Sequence, residues 1–270
     1  MNVQNTRKYM MKVYLKALVP LVVFAVAQGL GGVALLFCGE NGYGQTATTL
    51  SLAVMISGVV AVAILYQLGM VRYIAVDTKT ISRREVVGCI VAAFSCIIAT
   101  DLASELLDLP DFMEEQFLGM ARNVWGIVAI ALVGPVVEEL VFREAMLGYM
   151  LRNGVGMWAA VLMSALMFGV VHGNPVQIPF AFIMGIVFGL IYCKTGNVWL
   201  TTVIHIINNS IAVVEMNILG ERAADMHYYD YIGLHGELIA IVVFALVCLY
   251  FIKKTLLGRT TDSEVLAKES

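Results

Sequence analysis

Apolar residues run through this chain in long blocks separated by short polar stretches. Eight blocks fall at residues 13–38, 49–70, 86–107, 124–151, 155–172, 178–193, 198–219 and 238–252. A helix needs about 20 predominantly apolar residues to cross the ~30 Å hydrocarbon core of a bilayer, where the backbone must satisfy its own hydrogen bonds. The pattern therefore predicts an all-α polytopic bundle of about eight transmembrane spans. The third block is the least regular. Asp101 and Glu105 enter its end, and Asp108, Asp111, Glu114 and Glu115 follow as an acidic, amphipathic connector suited to the interface.

Composition sharpens this picture. With 60% apolar and 14% charged residues among 270, and a mean hydropathy of +0.85, the chain lacks the charge to coat a soluble body of its size. A soluble enzyme, a disulfide-stapled secreted domain and a disordered chain are excluded. The net charge of −3 comes with no long run of either sign, so nucleic acid is not an expected partner. Cys38, Cys89, Cys96, Cys193 and Cys248 are scattered in or beside apolar blocks without C-x-x-C spacing, and read as small packing residues. The first block is too long for a signal-peptide core and is expected to be retained.

Charge placement sets an orientation. Arg7, Lys8, Lys12 and Lys16 precede the first block; Arg72, Lys79, Arg83 and Arg84 separate the second from the third; Arg152 and Lys194 mark later turns; Lys253, Lys254 and Arg259 follow the last. The alternate connectors hold almost only acids, Arg122 and Arg222 excepted. By the positive-inside rule both termini are cytoplasmic, in a multi-pass protein of the cell membrane. The organisation expected is one membrane domain over 1–270, with a core at 124–219 and a polar tail at 260–270.

An ionisable side chain at mid-membrane costs on the order of 2.5–3.5 kcal/mol on insertion scales, so each one asks for a partner or a purpose. They gather in three blocks. The fourth carries Glu138, Glu139, Arg143 and Glu144, the fifth Phe168 and His172, and the seventh His205, Asn208 and Asn209. Glu139 and Arg143 stand i,i+4 with the acid first, so they can neutralise each other, while Glu138 is turned about 100° away toward another helix. Phe168 with His172, and His205 with Asn209, likewise share faces. Counted from the turn near Asn153, Glu138 and His172 differ in depth by roughly 5 Å at 1.5 Å per residue. His205 comes out roughly 10 Å nearer the cytoplasm unless its turn is recessed or its helix tilted.

A carboxylate in low dielectric is a strengthened proton acceptor. Glu138, helped by His172, is suited to deprotonate a water that attacks a peptide carbonyl, with His205 and Asn209 donating to the oxyanion. Glu139 and Arg143 then support the site. No serine, cysteine or aspartate pair is similarly framed, which favours an activated water over a covalent nucleophile. Two other classes stay open. Buried Glu, His and Arg also build proton- or ion-coupled transporters, although no repeat is visible, and an inactive membrane scaffold could carry the same groups. His227 and His235 lie among Tyr228, Tyr229 and Tyr231, an interfacial aromatic belt, and Gly185 and Gly189 form a G-x-x-x-G for close helix packing within the bundle.

The motifs E-E-x-x-x-R (Glu138, Glu139, Arg143), F-x-x-x-H (Phe168, His172) and H-x-x-x-N (His205, Asn209) resemble, in order, those of the CPBP intramembrane proteases. This is the CAAX-protease and bacteriocin-processing, or Abi, family, which includes the prenyl-protein endopeptidases. The resemblance covers about 124–211. It implies an intramembrane endopeptidase acting on a peptide or protein in or at the membrane, with membrane lipid as its other partner. Glu138 and His172 would activate water, and His205 and Asn209 would support the oxyanion. Two mechanisms go with the family: a metal-free glutamate mechanism, favoured here because H-E-x-x-H is absent, and a zinc mechanism with Glu138, His172 and His205 as ligands. Glu144 departs from the pattern, where relatives often carry a small residue. It adds a carboxylate within reach of Arg143 or Arg152.

Overall fold

The computed structural model describes residues 3–40, 46–72, 81–107, 109–220 and 227–257. The polar tail at 260–270, Lys79, Arg222 and Asp108 lie outside them, as does the side chain of Cys38. Within them the chain is helical: α1 Val3–Ala17, α2 Val19–Glu40, α3 Ala47–Gln67, α4 Arg83–Leu107, α5 Glu114–Ala121, α6 Val124–Arg152, α7 Met157–Val171, α8 Ile178–Thr195, α9 Val198–Leu219 and α10 Tyr228–Leu256. Seven of these segments, with α1 and α2 running as one from Gln4 to Leu35, are long and apolar enough to cross a membrane. The all-α polytopic bundle read from the sequence is the observed fold. The third block is one 25-residue helix, long and apolar enough to cross, and the acidic connector after it forms the short α5.

The fifth block differs from its expectation. Its helix, α7, has 15 residues, about 22 Å at 1.5 Å per residue against ~30 Å of hydrocarbon. Val155 and Gly156 stay outside its start, and Gly173, at φ 63°, turns the chain just past His172. His172 is the C-cap of this short helix. Asn174 in the following turn is wholly buried. Its amide nitrogen donates to Asp111 Oδ1 at 2.8 Å and its oxygen accepts from the Phe112 amide at 3.1 Å, so the 109–113 segment reaches in to hold that turn.

Side-chain caps mark where the helices begin. Thr46 and Thr49 form a reciprocal capping box at α3, Asn123 accepts from the amides of Trp125 and Gly126 at α6, and Asn197 accepts from the amide of Trp199 at α9. Helix α6, 29 residues long, lies at the centre. Val141, Phe142, Ala145, Met146, Leu147 and Met150 are completely enclosed, whereas α2 and α10 turn Leu30, Ile239 and Leu246 outward. Small residues set the tightest crossings. A Cβ on Gly185 would stand 2.9 Å from Ala165 Cα and one on Gly189 3.1 Å from Val161, both across α7. The G-x-x-x-G thus works inside the bundle. Cys89, Cys96, Cys193 and Cys248 are not joined in disulfides.

Charge is segregated along the bundle axis. Arg152, Lys194, Lys253 and Lys254 stand near the α6–α7 and α8–α9 turns, where Lys194 pairs with Glu85 at 3.0 Å. Tyr9 reaches Asn153 at 3.4 Å and Thr255 packs on Gly88, so both ends of the described chain share this face. Glu114, Glu115 and Asp111 occupy the opposite end.

Candidate functional site

Helix α6 is not a uniform α-helix. Two stretches, Ala129–Val133 and Leu140–Gly148, are π-helical and bracket the α-helical turn Gly134–Glu139. Pro135 explains the first. It has no N–H to give the preceding turn, and the chain widens before it, with Gly134 N–H bonding Ala129 O. An α-helix would have used Ile130 O instead. That freed carbonyl accepts from Asn209 Nδ2 at 3.0 Å, while Asn208 donates to Asn209 Oδ1 at 3.1 Å. In the second stretch Ser164 Oγ donates to Phe142 O at 2.8 Å. Wide turns thus hand backbone acceptors to side chains of α9 and α7.

The two adjacent glutamates have different surroundings. Glu139 is fully enclosed. One carboxylate oxygen lies 3.1 Å from Arg143 Nε and the other 3.2 Å from His205 Nδ1. The Glu138 side chain remains 25% exposed, with an oxygen 3.8 Å from His205 Nε2. It also lines a cavity of about 30 Å³, together with Phe24, Gln28, Val54, Met55, Ala129, Val133, Gly134 and Val137. A water needs about 10–15 Å³, so this space holds one beside the carboxylate. His205 stands between the two acids, joined to Glu139 on one nitrogen and facing Glu138 with the other.

Arg143 is buried, and none of its N–H groups is aligned for a hydrogen bond despite the close ion pair. Its guanidinium lies over the Phe168 ring at 4.1 Å and near that of Phe188 at 5.4 Å, so aromatic faces take up part of the charge. The edges of His172 and His205 meet Phe168 as well, at centroid distances of 4.9 and 6.0 Å. His172 Nδ1 lies 2.7 Å from Phe168 O. A carbonyl only accepts, so Nδ1 carries the hydrogen and Nε2 is left for another partner. By the same logic Nδ1 of His205 donates to Glu139.

The structure thus gathers Glu138, Glu139, Arg143, Phe168 and His205 directly and places His172 against Phe168. Asn209 is tied to α6 through Ile130. Glu144 belongs elsewhere. It pairs with Arg152 at 2.8 Å and accepts from Tyr192 at 2.5 Å, and Arg152 continues to Met70 O at 3.1 Å, which locks the basic end of α6. Sequence reasoning missed Phe188, Asn174 and Ile130. An aromatic in an apolar block, an amide in a turn and a backbone carbonyl carry no local signal. His227 and Glu105 approach to 3.9 Å beside α10, away from this cluster.

Among the described residues no group of three or more His, Cys, Asp or Glu side chains is arranged to hold an ion. Glu138, His172 and His205 are not drawn together into such a group, although both histidines are held through Nδ1 and leave Nε2 open. No step through zinc follows.

Comparison with known proteins comes to the same part of the chain. Residues 120–211 match the family described as Type II CAAX prenyl endopeptidase Rce1-like, which agrees with the motif resemblance. YdiL of Bacillus subtilis (strain 168), whose name is that of a membrane peptidase, is 28% identical over 88 residues, 33% of this chain and 36% of that protein. The membrane-embedded CAAX protease MroQ of Staphylococcus aureus (strain USA300) is 30% identical over 106 residues, 37% of this chain and 43% of that protein. The chain thus matches these relatives over less than half of their length. No solved structure matches it.

Proposed function

We propose that this chain, whose residues 120–211 match a family of prenyl endopeptidases, is an intramembrane endopeptidase that cleaves a membrane-associated or lipid-modified peptide by direct attack of water. The observation that carries this reading is the contrast between the two glutamates. Glu139 is enclosed and paired, whereas Glu138 faces a water-sized cavity. Glu138 takes a proton from the water, whose oxygen bonds to the peptide carbonyl carbon. As the C–N bond breaks, the proton on Glu138 passes to the leaving amine. His172, with Nδ1 held by Phe168 O, offers Nε2 to the same water.

His205, its ring oriented by Glu139 at Nδ1, turns Nε2 toward Glu138, where it serves the oxyanion. Asn209 has a second amide hydrogen beyond the one given to Ile130 O, and this supplies the other donor. Arg143 pairs with Glu139 at 3.1 Å and holds it in place. The basic end of the bundle faces the cytoplasm of a cell membrane, with both termini on that side.

The test is cleavage of a farnesylated, quenched-fluorescent peptide by purified protein in detergent. Wild type is expected to cut, and Glu138→Gln and His172→Ala to lose on the order of 10²-fold or more. Variants that cut as fast as wild type would overturn the mechanism.

A further inference from the structure

The first two spans supply part of the cavity at Glu138 and lie outside the matched segment 120–211. Of the nine residues lining the cavity, only Glu138 and Gln28 carry polar side chains. From residue 17 to residue 38, Gln28 is the single side chain with an amide or a charge, an isolated polar group in an otherwise apolar span. Ser57 of α3 donates to Gln28 Oε1 at 2.7 Å, while Gly31 lets the two helices approach, its added Cβ standing 3.3 Å from Ser57.

A bond of this kind commonly joins membrane helices. Here, however, it engages the acceptor end of the amide alone. Among the described residues the Nε2 group has no protein partner, and Gln28 is half-buried, with the cavity on its open side. Two N–H donors in low dielectric then require an acceptor that arrives from outside. The peptide that meets Glu138 brings one. For water to reach its scissile bond the peptide must be unwound there, and an unwound backbone has carbonyls without helical partners.

We propose that Gln28 is a substrate-binding residue whose amide donates to a backbone carbonyl beside the scissile bond, with Ser57 fixing its orientation. The assignment rests on the endopeptidase reading and deepens it: the substrate is a peptide locally extended between α2 and α6, recognised through its main chain by a residue from the first span.

Binding and turnover separate the two ideas. The same farnesylated peptide is titrated by fluorescence anisotropy into Glu138→Gln protein, with and without Gln28→Met, which keeps the length and removes the donors. The Kd is expected to rise about fivefold, the size of one net hydrogen bond. In the otherwise wild-type enzyme Gln28→Met is expected to raise KM by a similar factor while kcat changes less than twofold. Gln28→Glu keeps the acceptor for Ser57 without donors, and is expected to weaken binding at least as much. Unchanged affinity in both variants, a fall in kcat at constant KM, or no saturable binding overturns the assignment. Peptide that binds through Gln28 but is never cut by wild type overturns the endopeptidase reading instead.

Discussion

The Glu139–Arg143 pair invites a double-mutant cycle. Both side chains are enclosed, at 0% and 1% exposure, and their charges lie 3.1 Å apart. At an effective dielectric of about 20 that separation corresponds to roughly 5 kcal/mol of attraction. Removing one partner strands the other charge in an apolar interior, which typically costs about 3–5 kcal/mol. Glu139→Leu and Arg143→Leu are each expected to lose that much stability. The double variant fills the space with apolar groups and strands neither charge, so it is expected to lose about 2 kcal/mol or less. Catalysis does not recover with it, because His205 loses the carboxylate that holds Nδ1. Stability is read from sodium dodecyl sulfate titration of protein in dodecyl-maltoside, followed by circular dichroism, and activity from the peptide assay. Single losses that simply add in the double variant would refute the reasoning, and so would a double variant as active as wild type.

Two further outcomes test the wide turns and the orientation. Asn209→Leu removes the donor from Ile130 O and is expected to cost about 1–3 kcal/mol of stability in the same titration, with activity down at least tenfold. A variant as stable as wild type would show that the freed carbonyl needs no side chain. Single cysteines at Lys8 and Lys254, in a cysteine-free background, are expected to react with a membrane-impermeant maleimide from the same side, the cytoplasmic one. Labelling from opposite sides would refute the arrangement.

The identities at the site were legible in the sequence because charges are so scarce inside the spans that each one stood out. Their partnerships were less so. The i,i+4 spacing found Glu139 with Arg143, yet the same acid also holds His205, which counting along straight helices placed roughly 10 Å away in depth. That count assumed 3.6 residues per turn throughout, whereas α6 runs wide in two stretches. The fifth helix, Met157–Val171, falls within the block read at 155–172, and the glycine turn and buried Asn174 follow directly on its C-cap His172. For Glu144 the sequence left Arg143 and Arg152 both in reach, and folding selects Arg152 and adds Tyr192. Polar character survives in a one-dimensional reading, whereas the rotation of one helix about its neighbour does not.

The wide turn at Ala129–Val133 amounts to one extra residue accommodated within a helix. Deleting a single residue there would restore the tighter winding without removing any side chain of the site. Everything before the deletion would then rotate by about 100° relative to Glu138 and Glu139, and the free carbonyl at Ile130 would close into the helix. The first turns of α6 pack on α3 and α5, so that rotation would have to be absorbed by the carboxylates or by the bundle. In this protein chain length within one helix is itself a determinant of the site, one that a comparison of residue types position by position would pass over.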